Sequence, residues 1–146
     1  MPSPGAPQHV LVVDDEPAVR RFAARALEGE GYHVTTAKDG VEALELVGDP
    51  QRRLGLVVTD VIMPRLDGVE LLRTLSESHP ALPIILMSGY ATDHLAGAGV
   101  VAPCAVLGKP FSVEALLGQV RRCLGGAPRR PAPRGTTSGP RRVRRP

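Results

Sequence analysis

Residues 56–68 read LVVTDVIMPRLDG. Leu56, Val57 and Val58 form a β-branched, apolar run that passes through Thr59 into Asp60, and Val61, Ile62 and Met63 follow before Pro64. A carboxylate set between two apolar runs loses hydration on burial, and the penalty is several kcal/mol unless other groups compensate it. A surface-loop acid would have polar neighbours. Asp60 therefore reads as a functional carboxylate at the end of a buried strand, with partners that other parts of the chain must supply.

Outward from this stretch, two kinds of segment alternate. His9–Val13, Tyr32–Thr36, Leu54–Thr59, Pro83–Met87 and, more weakly, Ala102–Leu107 are short apolar or β-rich runs. Between and after them, Pro17–Glu28, Val41–Val47, Val69–Leu75 and Val113–Leu124 place apolar residues at helical spacing. Pro17 suits a first helical turn and Ser112 an N-cap. From Ala91 to Gly99 the pattern is poor, because Gly97 and Gly99 lower helix propensity. Gly68 reads as a turn or helix start. Five strands alternating with helices imply right-handed crossovers and a parallel sheet covered on both faces, which explains why the strand runs are continuously apolar.

Open parallel sheets bind ligands beyond the carboxyl ends of their strands. The residues expected there are Asp14-Asp15-Glu16, then Ala37-Lys38, Asp60, Ser88-Gly89 and Lys109-Pro110. Four of the five ends carry polar chemistry. Asp14, Asp15 and Asp60 together would repel by roughly 4 kcal/mol per close pair at an effective dielectric near 20. That is large against a domain stability of about 5–15 kcal/mol, so the trio calls for a cation. With oxygen donors and no His or Cys at ligand spacing among them, Mg²⁺ fits better than Zn²⁺. Lys109 and the Ser88 hydroxyl, with the metal, can neutralise the equatorial oxygens of a phosphoryl group. Asp60 is the natural covalent acceptor, since Asp14 and Asp15 lie together on another strand as metal ligands.

Four motifs, VLVVDDEP, VVTDVIMPRLDG, ILMSG and LGKPF, stand in this order between about Val10 and Leu124. In order and spacing they resemble the receiver domains of two-component response regulators. The resemblance implies a flavodoxin-like, doubly wound α/β fold, a five-stranded parallel sheet in the order 2-1-3-4-5 with helices on both faces. It implies that Asp60 is the phosphoacceptor, that Asp15 ligates Mg²⁺ directly and Asp14 mainly through water, and that the Ile62 backbone carbonyl is a further ligand. Ser88 would be the switch hydroxyl and Lys109 the phosphate-pairing cation, with a cis Lys109–Pro110 peptide. A sensor histidine kinase or a phosphotransfer protein would be the donor. Phosphorylation would shift a two-state equilibrium at the face near segment 91–99 and the fifth strand, where a partner binds. The expected role is a phosphoacceptor signalling domain, not an enzyme, whose own chemistry is self-phosphorylation and autodephosphorylation. One position departs from the family pattern. Three residues before Lys109 stands Val106, where Tyr or Phe is usual.

Three other readings fit less well. Haloacid-dehalogenase-type phosphatases also phosphorylate an Asp after a strand, but they resemble D-x-D, and here Ile62 stands two beyond Asp60. A nucleic-acid or acidic-partner binder driven by the Arg tail lacks aromatic interleaving. A pseudo-receiver that works without phosphorylation is opposed by the intact acidic trio and Lys109.

The net charge of +3 averages two unlike regions. Residues 125–146 hold seven Arg and no acid, leaving 11 basic and 15 acidic residues in 1–124. The tail also holds nine Gly and Pro and almost nothing apolar, so it is expected to be disordered, with possible contacts to acidic partners. The expected organisation is a flexible N-terminus over 1–7, a receiver domain over 8–124 and the tail over 125–146. No DNA-binding domain is expected after it; the chain reads as a stand-alone receiver or the terminal receiver of a hybrid kinase. No run approaches the ~18–20 apolar residues of a membrane span, and MPSPGAPQH has no signal character. Cys104 and Cys123 lie in apolar patterns and read as small hydrophobes, so the expected location is the cytoplasm. His9, His33, His79 and His94 are scattered and read as surface residues.

Overall fold

The computed structural model describes residues 8–89 and 102–125. The element order is β1 (His9–Val13), α1 (Pro17–Gly29), β2 (His33–Ala37), α2 (Gly40–Val47), β3 (Leu56–Asp60), α3 (Gly68–Ser78), β4 (Ile84–Ser88), β5 (Ala105–Gly108) and α4 (Val113–Cys123). The five strands form one parallel sheet in the order β2-β1-β3-β4-β5. Segment 91–99 and Tyr90 lie outside the described residues.

Alternate residues of each strand face opposite sides of the sheet. Val10, Val12, Leu56, Val58, Ile85 and Met87 pack on one side beneath Ala23 and Leu27 of α1 and Leu116, Leu117 and Val120 of α4. Leu11, Val13, Val57, Ile84 and Leu86 face the other side, under Ala43 of α2 and Leu71, Leu72 and Leu75 of α3. Burial on both faces is why β3 and β4 are buried at every position.

Local sequence sets the helix starts. Asp39, Asp67 and Ser112 each accept a hydrogen bond from the backbone N–H three residues on, at Glu42, Glu70 and Ala115. Pro17 occupies the first turn of α1. No helix among the described residues is long and apolar enough to cross a membrane.

Two sequence expectations are corrected. Cys104 and Cys123 are not separate hydrophobes: they form a disulfide with a Cα–Cα distance of 6.0 Å. The helix α4 runs back over β5, so its last turn returns to the residues just before the strand. Arg122 Nη2 donates to the Cys104 carbonyl at 2.8 Å across the same junction. His9 is not a surface residue either; it is half-buried, with Nδ1 2.8 Å from the Arg52 carbonyl and Nε2 2.6 Å from Thr35 Oγ1.

Candidate functional site: an acidic cluster at the strand ends

Register builds the site. Val13 of β1 pairs with Thr59 of β3, so the next residue on each strand is Asp14 and Asp60. Asp60 pairs with Met87 of β4, and Ser88 pairs with Gly108 of β5, which puts Lys109 one residue beyond. Lys109 N–H donates to the Ser88 carbonyl at 2.8 Å, holding the two strand ends together. The expected cis Lys109–Pro110 peptide is present.

Asp14 is fully buried, and Asp60 keeps only 9% of its surface exposed. Lys109 Nζ lies 3.0 Å from Asp14 Oδ2 and 3.2 Å from Asp60 Oδ1. Carboxylate oxygens of Asp14, Asp15 and Asp60 all fall within 4.8 Å of one another. Ser88 is 3% exposed, at the end of β4. Asp60, Val61, Ile62, Ser88, Gly89 and Lys109 line a cleft of about 320 Å³. All six residues singled out in the sequence thus meet at the carboxyl end of the sheet.

The electrostatics follow from this crowding. Burial, and next the Asp14 charge, push the Asp60 carboxyl above the usual carboxylate range, although Lys109 and the Val61 N–H oppose them. Burial works against the Lys109 charge, but its hydrogen bonds and charge contacts with Asp14 and Asp60 outweigh it and raise its pKa. Three carboxylates facing one ammonium leave excess negative charge in a poorly solvated place. An all-oxygen donor set with that excess fits a divalent hard cation such as Mg²⁺.

Two supporting residues, Thr59 and Arg20, were not singled out in the sequence, and Gly68 was read there only as a turn or helix start. Thr59 is buried and donates through Oγ1 to the Asp60 carbonyl at 3.0 Å. Arg20, one turn into α1, donates through Nη1 to the Asp14 carbonyl at 2.6 Å. Gly68 closes the turn after β3 by donating to the Val61 carbonyl at 2.7 Å. A Cβ at Gly68 would collide with the Asp60 carbonyl oxygen and stand 2.9 Å from Val61 Cα, so only glycine fits that close approach. Val106, at the usual aromatic position, is half-buried against the cluster under α2 and α3.

Known proteins place this arrangement. The response regulator receiver domain family matches residues 10–121. The sensor kinase CckA of Brucella abortus is 44% identical over 116 residues, which cover 79% of this chain and 12% of that protein. The response regulator MprA of a Mycobacterium species is 42% identical over 120 residues, 81% of this chain and 51% of that protein. The chain thus spans about half the length of that regulator and a small part of the kinase. Among solved structures, the response regulator TrrA of Thermotoga maritima, in complex with Mg²⁺-BeF, superposes with a TM-score of 0.70 at 30% identity, covering 80% of this chain and 98% of that one.

Proposed function

The chain belongs to the response regulator receiver domain family of two-component signalling, and on that premise we propose that Asp60 is its phosphoacceptor. One observation carries the assignment. Asp60 ends a fully buried strand with its carboxylate 3.2 Å from Lys109 and in reach of a cation held with Asp14 and Asp15.

The residues fit Mg²⁺, which Asp14, Asp15, Asp60 and the Ile62 carbonyl would hold and which supplies positive charge to phosphoryl oxygens when bound. Asp15, exposed, offers its carboxylate directly. Asp14 already accepts from Lys109 and from the Glu16 N–H at 2.9 Å, which favours a water-mediated part. In the transfer, an Asp60 carboxylate oxygen attacks the phosphorus of a phosphohistidine on a kinase or phosphotransfer protein. The new P–O bond forms as the P–N bond breaks, and the electron pair returns to the donor imidazole. Lys109 moves its charge from Asp60 to the phosphoryl oxygens, and the Ser88 hydroxyl donates to one of them.

The Asp60-phosphorylated form then favours a surface that a partner reads, near β5. With Val106 rather than an aromatic ring next to β4, chemical-shift changes around Val106 on adding a phosphate mimic would show whether the signal passes there. Ile62, 59% exposed beside Asp60, is apolar and flanks the path a hydrolytic water would take. Slow autodephosphorylation follows. The domain is taken as 8–124, with residues 125–146 as a basic extension, and the cytoplasm stays its location although the Cys104–Cys123 disulfide removes the cysteines as support for it.

Beryllofluoride titration followed by NMR tests the reading. Mg²⁺-dependent shifts at Val61, Ser88 and Lys109 in the wild type, absent in Asp60→Asn, are expected; identical shifts in both proteins would overturn the assignment.

A further inference from the structure

Between Asp60 and Gly68 the backbone makes a tight loop whose geometry is set from outside by α2. Arg65 has φ of 71°, in the left-handed region that a long side chain rarely adopts. Its guanidinium meets Asp39 at two points, with Nε 3.0 Å from Oδ2 and Nη2 3.2 Å from Oδ1. The Asp39 side chain is 6% exposed and the Arg65 side chain 56%, so the pair is shielded on its carboxylate side and bidentate, but open on the arginine side. Asp39 simultaneously caps α2 through the Glu42 N–H at 2.9 Å. One residue further on in each segment, a Cβ at Gly40 would collide with the Leu66 carbonyl oxygen, so the two segments touch backbone to backbone.

The held loop is the one that carries the Ile62 carbonyl. Val61 and Met63 on either side of Ile62 are 4% and 7% exposed, which anchors one end. At the other end, beyond Met63, Pro64 and Arg65 are exposed and Leu66 is only partly buried against the core, a weaker anchor. The Arg65–Asp39 pair and the Leu66–Gly40 contact take that part.

We propose that Arg65 and Asp39 form a positioning latch that fixes the 61–67 loop, and with it the Ile62 carbonyl, for cation binding at the phosphoacceptor site. The inference rests on the Asp14–Asp15–Asp60 site reading above. Neither residue touches the cation; both act through the loop. An ion pair that fixes one ligand-bearing loop contributes to affinity by lowering the ordering that binding would otherwise require.

Two substitutions separate the latch from fold maintenance. Asp39→Asn keeps a good N-cap for α2 but removes the charge. Arg65→Gly removes the guanidinium while relieving the left-handed backbone. Mg²⁺ affinity is measured by calorimetry on the full chain, with thermal melts alongside. The latch predicts a dissociation constant raised about 3- to 10-fold in each variant, no larger a loss in the double variant, partial recovery in Arg65→Lys, and Tm in Arg65→Gly equal to or above wild type. Wild-type affinity in both single variants would overturn the latch and leave the metal site standing. Absence of Mg²⁺ binding in the wild type would overturn the site reading itself, and the latch with it.

Discussion

Lys109 Nζ sits 3.2 Å from Asp60 Oδ1 and shares its charge with Asp14, 3.0 Å away. One ammonium therefore serves two carboxylates from different strands. Such a cluster is assembled against its own stability, because neither carboxylate is fully compensated.

Replacing the acceptor should therefore stabilise the metal-free domain. The Asp60 carboxyl holds its proton more tightly folded than unfolded, where the ordinary value is 3.8. Its favourable contribution is complete below that value and is lost as pH rises through the folded pKa, so at neutral pH the ionised group costs stability. Asp60→Asn should raise Tm by a few degrees at neutral pH without Mg²⁺, the scale of about 1 kcal/mol in a domain of this size. A lower Tm would contradict the electrostatic account.

At the opposite end of the sheet, His9 stacks on His33 with ring centroids 4.3 Å apart. Burial lowers the His9 pKa below 6.5, and the His33 and Arg52 charges add to this against the Arg52 carbonyl. Its contribution is present above the unfolded value and lost as pH falls through the folded one. Melting curves from about pH 7 to about pH 5 should show a fall in Tm that His9→Gln largely removes. An equal fall in both proteins would exclude His9 as its source.

Reducing the Cys104–Cys123 disulfide should lower Tm. The bridge joins residues 19 apart and closes β5 and α4 into one loop. Chain entropy alone puts its contribution at about 3 kcal/mol for a loop of this length. Melts with and without reductant, repeated on Cys104→Ser, check this; superimposable curves would mean the bridge adds nothing.

Gly68→Ala should destabilise the domain by about 2 kcal/mol, since the new methyl would press on the Asp60 and Val61 backbone and not on a side chain that can move aside. It should also weaken Mg²⁺ binding, because the displaced atoms belong to the acceptor. A neutral substitution would show that the turn after β3 is looser than described.

Much of this was legible in the sequence for a physical reason. Strands buried on both faces are continuously apolar, so Asp14, Asp60, Ser88 and Lys109 stood out at their ends. The capping side chains of Asp39, Asp67 and Ser112 are local, and the D-x-x-E spacing of the first two shows in the sequence. Strand bounds were placed less well than the strands themselves. β2 and β4 each run one residue later than their apolar patterns, at His33–Ala37 and Ile84–Ser88, β3 starts at Leu56 rather than Leu54, and β5 starts at Ala105 rather than Ala102, where burial is only partial. The disulfide and the Asp39–Arg65 pair depend on segments folding back on one another. Nothing in the spacing of an Arg and an Asp in separate loops distinguishes a bidentate pair from two solvated charges.

Mapping the phosphorylated residue tests the central claim most directly. The full chain is treated with acetyl phosphate and Mg²⁺, trapped by borohydride reduction of the acyl phosphate, digested and sequenced by mass spectrometry. The reduced residue is predicted at position 60, with no modification when Mg²⁺ is chelated. Modification at Asp14, Asp15 or any other carboxylate, or labelling that persists in Asp60→Asn, would contradict the account.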